Sequence, residues 1–277
     1  MNTSTEDKKF LDTLFGLSGK TAVVSGGAGA IGTVMSDALL KAGANVVVWS
    51  RSQQSVDVFL DRYKDTPLGS RLKGMAVDTG DEEAVSKALE FTRQCFATPQ
   101  ILINCVGGNI GKSAFLDIDM DRFREVLDLN LSAGLVVPTK QICRQWVDQK
   151  IKGSIINLTS MASYTPLSGV WAYDAAKAAT LNLTMAAANE FAPYGIRVNA
   201  IAPGFFIGKQ NKALLIDEQT GEYTPRGNSV LNHTPFRRFG DVSELAGATL
   251  FLASANASGF VTGVSIPVDG GYLVHNI

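Results

Sequence analysis

The sequence predicts an α/β protein, a single doubly wound domain built on a mostly parallel seven-stranded sheet with helices on both faces. Two observations predict it. Seven short runs rich in β-branched residues alternate with longer amphipathic segments, and such alternation implies parallel strands joined by right-handed crossovers. The runs are also apolar along nearly their whole length, as a sheet buried on both faces requires. In order they read "TAVVSGG", "ANVVVWS", "LKGMAVD", "QILINCVGG", "GSIINLTS", "GIRVNAIAPG" and "GVSIPVDGG". Helical patterns between them cover 31–42, 81–96, 120–149, 171–192 and 242–253. Residues 1–16 read as a polar lead-in and 17–277 as the domain, with no linker or internal repeat. One segment stands apart. Residues 208–238 form a long polar insertion with a short helical pattern near 212–216, and long irregular segments in compact domains are lids or binding loops.

Composition narrows the function. The 277 residues are 45% hydrophobic and 18% charged, with a net charge of -1, which is globular and carries no basic footprint for nucleic acid. Cys95, Cys105 and Cys143 lack C-x-x-C spacing and read as free thiols of a reducing compartment. With only His233 and His275 available, no metal is expected. No apolar run has the length of a signal peptide core or a membrane span, so a cytoplasmic enzyme or binding protein is expected.

The turn "VVSGGAGAIG" joins the first strand to a helix, and its four glycines within seven residues allow a tight turn whose amides face an anion at the helix N-terminus. A dinucleotide pyrophosphate fits that description. At the end of the second strand, "VVVWSRS" places Ser50 where such folds often carry an acid for the ribose, followed by Arg51. A carboxylate would repel a 2′-phosphate, whereas an arginine fork suits it. NADP(H) is therefore favoured, with NAD(H) the alternative.

Three further pieces lie along the chain. "VLDLNL" puts Asn130 inside an apolar helix, "IINLTS" ends on Ser160 at the carboxyl edge of the fifth strand, and "WAYDAAKAAT" places Tyr173 one helical turn before Lys177. An amide in an apolar helix must be hydrogen-bonded, and residues four apart share a helix face. In order and spacing, Asn130, Ser160, Tyr173 and Lys177 resemble the Asn-Ser-Tyr-Lys tetrad of the short-chain dehydrogenase/reductase family. The resemblance runs from about 17 to 271 and implies a Rossmann fold. The glycine turn resembles T-G-x-x-x-G-x-G, with Ser25 for the threonine and Ala30 for the middle glycine. "INCVGG" stands where the family has N-N-A-G, so Asn104 and Gly107 match while Cys105 and Val106 depart.

The resemblance implies cofactor contacts at Ser25, Gly26, Gly27, Ala28, Ile31, Gly32, Ser50, Arg51, Asp78, Thr79, Asn104, Val106, Gly107, Tyr173, Lys177, Pro203, Gly204 and Phe206. Asp78 resembles the aspartate that touches adenine, and a helix N-cap before Glu82 and Glu83 is its other reading. Asn104 should contribute backbone beside the cofactor, and Cys105 reads as a small core residue rather than a nucleophile. Tyr173 is implied as general acid/base, Ser160 as the holder of the substrate oxygen, Asn130 as support for a water relay, and Lys177 as a ribose ligand. Chemistry supplies the reason for the pair. A phenol of pKa ~10 exchanges protons poorly near neutrality, and a cation ~4 Å away at an effective dielectric of ~20 is worth about 4 kcal/mol, on the order of three pKa units. Lys177 is therefore expected to lower the Tyr173 pKa. The family resemblance also implies a homotetramer, in keeping with the alanine-rich Tyr173 helix.

"APGFFIGKQNKALL", followed by "TPRGNSVLNHTPFRRFG" and "PVDGGY", resembles the subgroup of D-mannonate oxidoreductases, or fructuronate reductases, with Gly208 where a threonine is usual. A sugar acid needs a cation and polar groups. Asn109, Lys209, Gln210, Asn211 and Arg226 fall in segments near the expected mouth, with Arg226 assigned the carboxylate. Arg237 and Arg238 read as structural pairs or a subunit contact, and His233 as a loop anchor. Reduction of another ketone, such as 5-ketogluconate or a 3-oxoacyl substrate, is the alternative activity, and a non-catalytic NADP(H)-binding sensor is the alternative of a different class.

Overall fold

The apolar runs fold as β1 (Thr21–Ser25), β2 (Asn45–Ser50), β3 (Leu72–Ala76), β4 (Ile101–Asn104), β5 (Ser154–Leu158), β6 (Arg197–Pro203) and β7 (Ser265–Val268). The structure, a computed structural model, describes residues 5–208 and 212–276. The strands pair in the order β3-β2-β1-β4-β5-β6-β7, and every pairing is parallel. Strand order reverses between β1 and β4, which opens a crevice at the carboxyl edge where such sheets bind ligands.

The α-helices among the described residues are α1 (Thr5–Phe15), α2 (Ala30–Lys41), α3 (Gln53–Asp61), α4 (Glu82–Cys95), α5 (Met120–Leu127), α6 (Val137–Gln149), α7 (Trp171–Phe191), α8 (Lys212–Leu215), α9 (Pro225–His233), α10 (Leu245–Ala253) and α11 (Ala255–Ser258). Successive strand residues point to opposite faces. Val24, Val46, Val48 and Ile103 accordingly bury with Met35, Phe59 and Leu252 of α2, α3 and α10. Their neighbours Val23, Val47, Trp49 and Leu102 bury with Leu89, Trp146 and Ala188 of α4, α6 and α7. Both faces are thus covered, as continuous apolar strands demand.

Two departures from the sequence reading have local causes. The expected helix over 120–149 is continuous but widens to π-type geometry over Asp128–Val136. Asn130 lies there and donates through Nδ2 to the Val126 carbonyl at 2.8 Å, taking up a group of the preceding turn. Bulges of this kind recur at functional sites. The lead-in, by contrast, folds as α1, tied down where Ser254 and Asn256 each donate, at 2.7 Å, to the Leu14 and Thr13 carbonyls respectively. Distant partners, not local pattern, hold it.

The insertion carries the expected helix at α8 and a second, α9, that its polar composition conceals. Pro225 occupies the first turn of α9, and the Thr224 hydroxyl caps it by accepting from the Gly227 amide at 3.0 Å. Leu215, Val230 and Phe239 form a small core of their own beneath it.

A buried amide ladder fixes the two elements that meet at the site. Asn104 donates to Thr139 Oγ1 of α6 at 3.0 Å and to Asn157 Oδ1 of β5 at 2.9 Å, and Asn157 donates to Thr184 Oγ1 of α7 at 2.9 Å. Asn157→Ala leaves these buried groups short of partners, at a cost of about 1–3 kcal/mol each. The expected outcome is a melting temperature several degrees below wild type by calorimetry, at roughly 2–4 °C per kcal/mol. An unchanged melting temperature would show that the ladder does not join β5 to α7.

Candidate active site

The glycine turn closes over its own backbone. Gly26 adopts φ 70°, and a Cβ there would lie 2.8 Å from the Cys105 carbonyl oxygen, while one on Gly32 would lie 2.1 Å from that of Gly26. Gly29 begins α2 without a side-chain cap, so the first amides of the helix have no side-chain acceptor at that cap and present donors to an anion. The turn therefore fits a pyrophosphate. Ser25, within β1, donates to the Ile103 carbonyl at 3.3 Å, and Ile31 packs on the core.

At the end of β2, the Ser50 hydroxyl accepts from the Ala28 amide at 3.3 Å, stitching this strand to the turn, and Arg51 is exposed beyond it. Asp78 accepts from the Gly80 amide at 2.9 Å. The helix cap belongs to Asp81, which accepts from Glu83 and Ala84, so the capping reading of Asp78 is corrected. Thr79 is buried next to it.

The β4 end passes directly over the tetrad. The Asn104 side chain turns into the ladder, leaving its backbone at the cleft. A Cβ on Gly107 would lie 2.6 Å from Asn130 Oδ1 and 3.2 Å from Lys177 Nζ, and one on Gly134 would lie 2.6 Å from the Val106 carbonyl oxygen. Asn130 accepts from the Gly108 amide at 3.1 Å and donates to the Gly108 carbonyl at 2.7 Å. It locks this loop. Ser160 caps the short turn Met161–Ser163, and Ser163 donates to the Lys177 carbonyl at 2.7 Å, joining the β5 end to α7. The Ser160 side chain faces the Tyr173 phenol and favours its charged form. Lys177, only 5% exposed, donates from Nζ to the Leu158 carbonyl at 2.8 Å and lies 5.7 Å from the Tyr173 ring centroid. The structure thus brings all four residues together.

The electrostatics differ from the expectation. Burial raises the Tyr173 pKa above its ordinary value; the Ser160 side chain opposes this and the Asp174 carboxylate adds to it. Burial also lowers Lys177 to about 8. Desolvation disfavours both charged forms, and in this arrangement the ammonium is directed to the Leu158 carbonyl. The expected lowering of Tyr173 is therefore absent in the free protein. Cys105 is pushed up to about 12 by burial, partly opposed by Lys177, in keeping with a core residue rather than a nucleophile.

Around this centre, a Cβ on Gly204 would lie 2.6 Å from Asp269 Cα, so the Pro203–Gly204 turn abuts the β7 end. The Phe206 ring is committed to the core, 7% exposed and packed on Gly240. Asn109 Nδ2 donates at 2.5 Å to the Gly111 carbonyl of its own loop. Arg226 sits on α9 and acts on Tyr272, whereas Lys209, Gln210 and Asn211 lie outside the described residues. Arg238 pairs with Glu244 at 2.6 Å, and Arg237 holds the Asn232 carbonyl and side chain, as structural arginines do.

Three residues escape the sequence reading. Asp174 accepts from the Leu167 amide at 3.1 Å while its Oδ2 is buried without a partner; its signal was its place beside Tyr173. The Lys112 stem lies within 2.8 Å of a Cβ built on Gly169, and Ser113 bonds both Gly169 and the Trp171 indole at 3.1 Å. Only folding joins that loop to the front of α7.

A family model described as enoyl-(acyl carrier protein) reductase matches residues 26–273. The chain belongs to the short-chain dehydrogenase/reductase family. It is 36% identical over 274 residues to an uncharacterized oxidoreductase, UxuB, of Bacillus subtilis (strain 168), covering 94% of this chain and 97% of that one. Among solved structures of this family, one described as a D-mannonate oxidoreductase from Haemophilus influenza with bound NAD superposes with a TM-score of 0.86 at 32% identity, covering 96% and 99% of the two chains. A gluconate 5-dehydrogenase from Burkholderia cenocepacia in complex with NADP and tartrate gives 0.85 at 28% identity, covering 96% and 99%. This short-chain dehydrogenase is an NAD(P)-dependent oxidoreductase.

The buried ammonium has a measurable consequence for the cofactor-free protein. Below about 8, Lys177 is charged in both folded and unfolded chains and its desolvation penalty is fully present; between about 8 and 10.5 the folded chain sheds a proton that the unfolded chain keeps, so stability rises with pH. Lys177→Met is expected to melt above wild type near neutrality, and the gap should close as pH rises through that window. Thermal scans at several pH values check it. A variant that melts below wild type near neutrality would contradict the unfavourable burial.

Proposed function

We propose that this enzyme interconverts a keto sugar acid and its hydroxy acid, with D-fructuronate and D-mannonate as the pair. The observation that carries the reading is the meeting of Asn130, Ser160, Tyr173 and Lys177 at the Gly107 loop, in a chain whose insertion helix α9 carries the cation Arg226. The D-mannonate description of one similar structure supports the substrate. A specific observation favours a second reading, oxidation of D-gluconate at C5, because a gluconate 5-dehydrogenase superposes almost as closely.

Gly26, Gly27, Ala28 and Gly32 would hold the pyrophosphate, Ser50 and Arg51 the adenosine ribose end, and Asp78 and Thr79 the adenine. The Asn104–Gly107 backbone and the Pro203–Gly204 turn would flank the nicotinamide, which supplies or accepts the hydride when bound. Arg51, with no acid beside it on β2, favours NADP(H).

Tyr173 gives its phenolic proton to the substrate oxygen in reduction and takes it back in oxidation. Ser160, at the end of β5, fixes the oxygen's position. Asn130 anchors the loop under which a water relay would run. Lys177 leaves the Leu158 carbonyl to hold the nicotinamide ribose, and that move would give Tyr173 its cationic neighbour. Arg226 pairs with the carboxylate. A cytoplasmic homotetramer with residues 208–238 as lid completes the reading.

Purified protein assayed with NADP and NAD against D-mannonate, D-gluconate and an acetoacetyl thioester tests this directly. D-mannonate oxidation, faster with NADP, is expected. Faster turnover of D-gluconate would select the second reading, and activity on the thioester with none on either hexonate would overturn the substrate class.

A further inference from the structure

Residues 107–113 pass over the tetrad as a strap, and both of its ends are fastened there. At one end Asn130 holds the amide and the carbonyl of Gly108, at 3.1 and 2.7 Å. At the other, the Ser113 amide donates to the Gly169 carbonyl and the Ser113 carbonyl accepts from the Trp171 indole, each at 3.1 Å. Gly169 and Trp171 precede Tyr173 by four and two residues, so that end is tied to the start of α7. Between the fastenings, Asn109 closes the strap on itself through the Gly111 carbonyl at 2.5 Å. Lys112 stands just before the second fastening. A Cβ built on Gly169 would meet both its Cγ and its Cε at 2.8 Å, so the stem lies flat across a glycine whose φ of 77° few other residues adopt. The stem is fixed, and the exposed end has no carboxylate to hold. Among the described residues Lys112 forms no ion pair, whereas Arg122 and Arg124, the next cations along the chain, pair with Asp119 and Asp121.

Resting on the sugar-acid reading, we propose that Lys112 is a specificity-determining residue whose ammonium binds the substrate carboxylate on the tetrad side of the cleft, in addition to Arg226 of α9. The chemistry fits one class of ligand. An ammonium offers three N–H donors and no acceptor, and its bond to a carboxylate is charge-assisted. A stem already held against Gly169 loses little further freedom when that bond forms. The position fits as well. Helix side chains tilt toward the N-terminus, so the Tyr173 phenol leans back toward the end of α7 that Lys112 crosses. From Gly169 to Tyr173 the chain advances by about one helical turn, ~5.4 Å. A hexonate oxidised at C5 carries its carboxylate carbon four bonds from the reacting carbon, roughly 5 Å away in an extended chain with C–C bonds of ~1.5 Å. The two lengths match, for D-mannonate and D-gluconate alike. A 3-oxoacyl chain has only neutral carbons at that distance, so a cation there selects for the acids.

Lys112 is exposed, and Lys112→Met keeps an unbranched stem on Gly169 while removing the charge, so the fold is preserved. KM for the hexonate that the wild type oxidises is expected to rise about tenfold or more, with kcat within about threefold and cofactor titration unchanged, since loss of one charge-assisted bond is felt at this scale. Lys112→Glu sets a like charge against the carboxylate and is expected to raise KM further than Met does. A hexonate KM unmoved in Lys112→Met, whatever the change in kcat, would overturn the role of Lys112 and leave the sugar-acid reading standing. A Glu variant no worse than Met would do the same, because the effect would not come from charge. A wild-type protein that oxidises no hexonate would overturn both.

Discussion

One buried ammonium organises the carboxyl edge of this sheet. Lys177 has lost nearly all contact with water and bonds the last carbonyl of β5, Leu158, at 2.8 Å. A charge in that position is unfavourable unless its surroundings hold it. The surroundings do so rigidly: Asn130 locks the loop over it, Ser163 ties the α7 backbone to the β5 turn, and Asn157 links strand to helix. The same contacts fix Tyr173, one helical turn earlier. Stability is given up locally at this buried charge, as functional sites commonly require.

The free protein is poised rather than active. Burial raises the phenol and lowers the amine, so each neutral form is favoured while the Lys177 ammonium bonds a carbonyl. A ligand that draws that ammonium away from Leu158 changes both groups together. Under the roles proposed above, coupling of proton transfer to cofactor binding would follow from one hydrogen bond exchanged for another, without any large movement of the fold.

What the sequence carries legibly is whatever depends on covalent spacing. The alternating strands, the glycine turn and Tyr173 four residues before Lys177 are set by the periods of strand and helix, and the structure keeps them. Features that depend on distant partners are illegible. The α1 helix rests on Ser254 and Asn256, α9 hides behind asparagine, serine and glycine, and the Phe206 ring follows a core contact with Gly240. Asp78 reads in sequence as either an adenine contact or a helix cap, and the folded backbone assigns the cap to Asp81 instead. The sign of the Tyr173 shift is hidden from the sequence for a related reason. Proximity to a cation is visible in the spacing, but burial, which acts more strongly here, is a property of the whole fold.

The account stands on that burial, and the Tyr173 phenol reports it. Its titration can be followed by ultraviolet difference absorption, taking wild type minus Tyr173→Phe, first without and then with saturating cofactor. Without cofactor the phenol is predicted to titrate above the ordinary tyrosine value, and with cofactor bound its pKa is predicted to fall as Lys177 becomes its neighbour. A free-protein phenol titrating at or below the ordinary value, or one unmoved by cofactor, would contradict the central claim that Lys177 and Tyr173 form one coupled proton-transfer pair.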